Sequence, residues 1–217
     1  VANSHMMVML PLTSKTVRYD PVADFKPIGR MTSFYEAITV PSAVSATNVR
    51  QWTDLARSDS RFSNFGVPAA GSVSHFIGYK LGSDAKAALQ AVPYKGAAPL
   101  VQDLLGNQIS GGILPILDVA QHAQAGKLRV LAVNGTRRAQ LLPSVPTLKE
   151  LGVAGFDSLE WTALFVPKAT PDAVTTRLNE ALNKVLAQKS VQDRLLKLGM
   201  EAHSSSPAEL AALVGSD

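Results

Sequence analysis

Two short runs of small residues could do chemistry in this chain. The first is Gly71-Ser72-Val73-Ser74-His75, after the strand-like stretch 62–67. The second is Val92-Pro93-Tyr94-Lys95-Gly96-Ala97-Ala98-Pro99, ahead of a helix ending near Gly106. A helix start exposes N–H groups with no partner inside the helix, and the aligned peptide dipoles add partial positive charge there. Two such ends facing one cleft would hold a carboxylate without any catalytic side chain. Gly71 to His75 would offer backbone N–H groups with the Ser72 and Ser74 hydroxyls, and His75 could reach a ligand from the first turn. The same residues also read as an ordinary helix capped by Ser72 or Ser74, with His75 bonded to nearby backbone. Gly96, Ala97 and Ala98 put little bulk where a ligand could touch backbone, or make a tight turn. Pro115 to Asp118 follow another strand and so belong at a cleft edge. Asp118 could bind a ligand ammonium or cap the helix that follows.

Catalysis is a second chemistry these residues allow. Ser72, His75 and Asp118 are the types of a nucleophile, base and orienting acid. A serine and a histidine three apart on one helix face lack the usual geometry, and no Gly-x-Ser-x-Gly elbow occurs. The histidines, at 5, 75, 122 and 203, show no metal-ligand spacing. The chain reads as a binding protein without a cofactor, and not as an enzyme; a small hydrolase is the distant third choice.

Composition narrows the partners. At 217 residues, 46% apolar and 18% charged, the chain can bury a proper core. The net charge of +4 is spread along the chain with 6% aromatics, which argues against a nucleic-acid surface and modestly favours arrival of anions. The absence of cysteine excludes disulfides and thiolate chemistry. No apolar run approaches the ~18–20 residues that span a bilayer, and residues 6–12 do not read as a signal peptide. Ser4-His5-Met6 also matches a cloning remnant.

The elements that must position the two runs alternate between helix and short apolar strand, which predicts an α/β protein with largely parallel sheets. Strands are expected at 36–40, 62–67, 89–94, 109–114, 128–133 and 161–166. Helices are expected after Thr47 or Asn48, from Val73 to Gly82 with Val73, Phe76, Ile77 and Leu81 as one face, after Gly96, and before Gly126. Residues 134–155 read as irregular, with one short helix at 148–151. A further helix opens at Thr170-Pro171 with Val174, Leu178, Ala181, Leu182 and Val185 on one face. Ser190 and Ser206-Pro207 open two more, with no strand among these C-terminal helices. Pro41 and Pro167 mark two crossings, so residues 1–40 and 161–217 would form one discontinuous lobe and 41–160 the other.

At these residues the chain resembles the tripartite tricarboxylate transporter receptors, the Bug or TctC-like solute-binding proteins. The matching runs are Tyr19-Asp20-Pro21 with Asp24-Phe25-Lys26-Pro27-Ile28, Gly71-Ser72 with His75, and VPYKGAAPLVQDLLGNQ from Val92. AGKLRVLAV from Ala125, Arg137 or Arg138, VPTLKELG from Val145 and VPKATP from Val166 complete the series. The resemblance implies a fold like the type II periplasmic binding proteins, two lobes joined by two crossing strands. It implies hinge closure over a small carboxylate in the periplasm, delivery to a membrane permease, and no turnover. By the same resemblance, Asn3, Ser4 and His5 would meet ligand from the first lobe, and Phe34-Tyr35 could line the cleft or fill the core. The family begins with two further strand–helix units and a glycine-rich turn, which nothing here matches. The first lobe is therefore expected to be incomplete and prone to self-association or to loss of ligand binding. The alternative is the ligand-sensing domain of a transcription regulator with the same two-lobed architecture.

Overall fold

The computed structural model describes residues 1–216 of the chain. It begins with β1 (Ala2–Asn3), a π-helical turn (His5–Met9) running into α1 (Leu10–Thr13), β2 (Phe25–Phe34) and β3 (Glu36–Pro41). There follow α2 (Val49–Ser58), β4 (Asn64–Val67), α3 (Val73–Ala85), β5 (Gln90–Pro93), α4 (Ala97–Leu105), β6 (Gly112–Pro115), α5 (Ile116–Gln124) and β7 (Leu128–Val133). The chain closes with β8 (Glu160–Pro167), α6 (Asp172–Leu186), α7 (Lys189–Lys197), β9 (Met200–Ala202) and α8 (Pro207–Ser216). Two compact units result, one of Val1–Phe34 with Glu160–Asp217 and one of Tyr35–Leu159. Pro41 and Pro167, expected as crossings, instead end β3 and β8 inside a unit.

The central unit, residues 35–159, is a five-stranded sheet in the order β5-β4-β6-β3-β7. β4 is parallel to β5 and β6, whereas β3 is antiparallel to both β6 and β7. Four strands therefore run one way and β3 the other. Successive side chains alternate between faces, so Leu114, Val133 and Ala37 join one core while Ile113, Ala132 and Ile38 join the other. Leu100, Leu104, Ile116 and Val119 from α4 and α5 cover the first face; Val49, Trp52, Ile77 and Leu81 from α2 and α3 cover the second. Glycine lets α3 come close: a Cβ on Gly78 would lie 2.1 Å from Phe65. The buried face of α3 is Ser74, Ile77, Gly78, Leu81 and Gly82, while Phe76, expected on that face, is exposed. The expected helix at 148–151 is a turn, held by reciprocal bonds between Thr147 and Glu150.

The discontinuous unit has a four-stranded sheet, β1-β8-β2-β9, in which every described pairing is antiparallel. This corrects the expectation of largely parallel sheets and of no strand after residue 166. β9 is too short to announce itself by pattern, and it exists because Met200 to Ala202 pair with Phe34 to Thr32. Helix α6 also departs from expectation. Its buried or half-buried residues are Thr175, Asn179, Leu182, Asn183 and Leu186, and Val174, Leu178, Ala181 and Val185 are exposed.

Candidate functional site

The central sheet decides what its edge presents. Because β4, β5, β6 and β7 are co-directional, their carboxyl ends lie along one edge, and the reversed β3 brings its amino end, Glu36, to the same edge. Helices α3, α4 and α5 each begin just after β4, β5 and β6. Their amino ends thus follow one another along the carboxyl edge, where α/β sheets bind ligands. The loops also touch directly: Tyr94 N–H donates to the Val67 carbonyl at 2.8 Å, and Gly96 N–H to the Pro68 carbonyl at 2.9 Å.

None of these three helix starts is capped by its own side chain. α2, in the same unit, is capped, its Asn48 side chain accepting from Gln51 N–H at 2.9 Å. Gly71 has a φ of 69°, a conformation suited to glycine. Its N–H donates to His75 Nδ1 at 3.1 Å, so His75 is held by backbone. Ser72 stands at the N-cap position of α3, yet its hydroxyl turns back to the Ala69 carbonyl at 2.8 Å. The buried Ser74 hydroxyl donates to Glu36 Oε2 at 2.7 Å. Neither serine caps the helix, and neither is paired with His75, so the nucleophile–base pair that Ser72 and His75 could have made is not assembled. Gly96 (φ 101°) leads Ala97 and Ala98 into α4, and nothing lies within 4 Å of where a Cβ on Gly96 would sit. The run of small residues keeps that backbone open.

Pro115 is the N-cap residue of α5 and Asp118 sits in its first turn. An acid at that position often accepts from the N-cap N–H, which a proline does not have. Asp118 is half-buried, and burial holds its carboxyl above the usual carboxylate range. Gly71, Ser72, Ser74, His75, Gly96, Ala97, Ala98, Pro115 and Asp118 therefore all lie on one edge of one unit. Ser4 does not join them within that unit. It lies in the discontinuous unit, buried, with its hydroxyl donating to Glu160 Oε2 at 2.6 Å and accepting from Trp161 N–H at 3.4 Å. Neighbouring His5 has a buried Nδ1 without a partner, and burial lowers its pKa. Phe34 and Tyr35 are both buried.

Glu36 is the residue that pattern reading missed. It is 4% exposed, its N–H donates to Asn134 Oδ1 at 2.7 Å, and its carbonyl accepts from Asn134 N–H at 3.1 Å. Asn134 in turn donates to the Ser158 carbonyl at 2.7 Å. The signal was present: a carboxylate heading an otherwise apolar strand needs a partner inside. Further along, the Tyr94 hydroxyl donates to Asp103 Oδ2 at 2.7 Å. Burial, then that bond and the Asp103 charge, push the phenol up to about 12. Among the described residues no group of three or more His, Cys, Asp or Glu could hold a metal ion, and no helix is long and apolar enough to cross a membrane.

Comparison with known proteins identifies the family and agrees with the fold. A family profile described as "Tripartite tricarboxylate transporter family receptor" matches residues 1–217. The "UPF0065 protein in tcbD-tcbE intergenic region" of Pseudomonas sp. (strain P51) is 31% identical over 202 residues, 93% of this chain and 60% of its own length. The chain therefore spans about three fifths of that relative. Among solved structures, R. palustris Rpa4515 with adipate superposes with a TM-score of 0.92 at 28% identity, covering 99% of this chain and 72% of that one. The periplasmic binding protein BugD superposes at 0.87 with 28% identity, covering 96% and 71%.

Proposed function

We propose that this chain, which belongs to the tripartite tricarboxylate transporter receptor family, is the ligand-holding part of an extracytoplasmic receptor that gives a small carboxylate to a membrane permease. The observation that carries this reading is the row of three helix amino ends, α3, α4 and α5, with no side-chain cap among them. First-turn N–H groups have no intrahelical acceptor, so those of Val73 and Ser74, and of Ala97 and Ala98, are the donors assigned to a ligand carboxylate. The partial positive charge of each helix end strengthens these bonds without requiring a cationic side chain. A carboxylate role also fits the adipate in the R. palustris neighbour.

Asp118 divides the ligand class. A half-buried acid without an N-cap partner would repel the second carboxylate of a diacid and attract an ammonium, so an amino acid is the ligand form it favours. The periplasm is the compartment this reading requires, and the permease is the partner. Isothermal calorimetry of the chain with adipate, glutarate and glutamate tests it. Saturable binding of at least one is expected, and heat of dilution alone for all three would reject the proposal.

A further inference from the structure

Glu36 stands against two of the three helix starts. In the sheet register it faces Pro115, the N-cap residue of α5. The residue before it, Tyr35, accepts from the first N–H of that helix, Ile116, at 2.8 Å. Side chains two apart on a strand share a face, so Glu36 points with Ile38 toward α2 and α3. There its Oε2 accepts from the hydroxyl of Ser74, the second residue of α3, at 2.7 Å. The backbone of Glu36 is pinned as well, its N–H and its carbonyl both bonded to the fully buried Asn134. The carboxylate is therefore a fixed post, and the first turn of α3 is what it holds.

That turn has two opposing requirements. To take an anion its N–H groups must stay uncapped, yet helix ends without caps fray. His75 and Phe76 N–H both turn to the Ser72 carbonyl, at 3.0 and 3.3 Å, so Val73 and Ser74 carry the N–H groups with no acceptor inside the helix. The Ser72 hydroxyl is drawn off to the Ala69 carbonyl and the Ser74 hydroxyl to Glu36. Neither hydroxyl competes for these N–H groups, and the bond to Glu36 steadies the turn from inside the sheet.

We propose that Glu36 is a positioning residue of the carboxylate site: through the Ser74 hydroxyl it holds the uncapped first turn of α3, so that the Val73 and Ser74 N–H groups are presented to a ligand anion. The inference rests on the reading of the α3 amino end as a ligand donor. Glu36 acts through Ser74, because its own side chain is buried. A bond that served stability alone would lower the melting temperature and leave affinity where it was.

The test is a double-mutant cycle read by calorimetry with adipate, glutarate and glutamate, well below the melting temperature of every variant. Ser74→Ala and Glu36→Met should each weaken binding roughly five- to tenfold, and the double variant should lose no more than the larger single loss. Glu36→Gln, which keeps an acceptor oxygen, should retain most of the affinity. Asn48→Ala removes the cap of α2 in the same unit; it should lower the melting temperature and leave affinity unchanged. Additive losses, a loss in Glu36→Gln equal to that in Glu36→Met, or affinity indifferent to Ser74→Ala would each overturn the proposal. If Glu36→Met does not fold, the contrast of Ser74→Ala with Asn48→Ala decides. Nitrogen-15 relaxation of the ligand-free chain separates this inference from the carboxylate reading. Order parameters at residues 73–76 should fall in Ser74→Ala and hold in Asn48→Ala, and unchanged values overturn the anchoring. Lowered values in a chain whose parent binds none of the three ligands would instead overturn the carboxylate reading, and with it the role of Glu36 at that site.

Discussion

The Ser74 hydroxyl donates a 2.7 Å hydrogen bond to the carboxylate of Glu36, 38 residues earlier, and both side chains are buried. This bond ties the first turn of α3 to the reversed strand β3. Removing the donor should leave part of a buried carboxylate unsatisfied. Ser74→Ala is expected to lower unfolding stability by about 1–3 kcal/mol. Urea denaturation of the two chains measures this, and coincident midpoints would show that the bond contributes nothing.

Gly96 sits at a φ of 101° in open space, so a side chain there meets backbone strain before it meets atoms. Gly96→Val should cost about 1–3 kcal/mol of strain, since that conformation is nearly confined to glycine. Relieving it would shift Ala97 and Ala98, and adipate or glutamate binding should weaken roughly tenfold by calorimetry. An unchanged affinity would remove the α4 amino end from the proposed site.

Burial raises the Asp118 pKa, and the sign of its pH effect follows. For an acid whose folded pKa is raised, the favourable contribution is fully present below the unfolded pKa and is lost as pH rises through the folded value. Asp118→Asn should therefore raise the melting temperature at neutral pH, with the difference closing below pH ~4. The same variant should weaken glutamate binding, by removing the attraction for its ammonium, and should strengthen or leave unchanged that of glutarate. Parallel melting curves across that range would contradict the first expectation, and equal losses for both ligands the second.

The Tyr94 phenol, raised to about 12, is favoured in its neutral form by the fold. Its contribution is present below the ordinary tyrosine pKa of ~10 and is lost as pH climbs through the folded value. Tyr94→Phe should cost about 1 kcal/mol at neutral pH. In an ultraviolet absorbance titration of the four tyrosines, one should ionise late, and Tyr94→Phe should abolish that late step.

α3 approaches β4 so closely that a methyl group on Gly78 would overlap the Phe65 ring. Gly78→Ala is expected to destabilise the chain by about 1–3 kcal/mol through overpacking, read as a lower melting temperature. A melting temperature equal to that of the parent would mean that Phe65 has room to move.

What the amino-acid sequence determined by itself was local chemistry. Asn48 caps α2, Leu128–Val133 forms a strand buried but for the half-buried Arg129, and the small residues at Gly71 and Gly96 stand at helix starts, because caps, apolar runs and left-handed turns depend on neighbours a few positions away. The small-residue runs were legible as helix starts, and Asp118 as a first-turn acid, for the same reason. Only the tertiary structure decided the rest. Reversal of β3 between β6 and β7 delivers Glu36 to the helix amino ends, and β9 forms because β2 offers it a ladder. On α6 the spacing of apolar residues fits two faces, and the choice falls to Asn179, which reaches carbonyls more than twenty residues away in either direction. Side-chain periodicity names the faces of an element; long-range hydrogen bonds and packing select which face is covered.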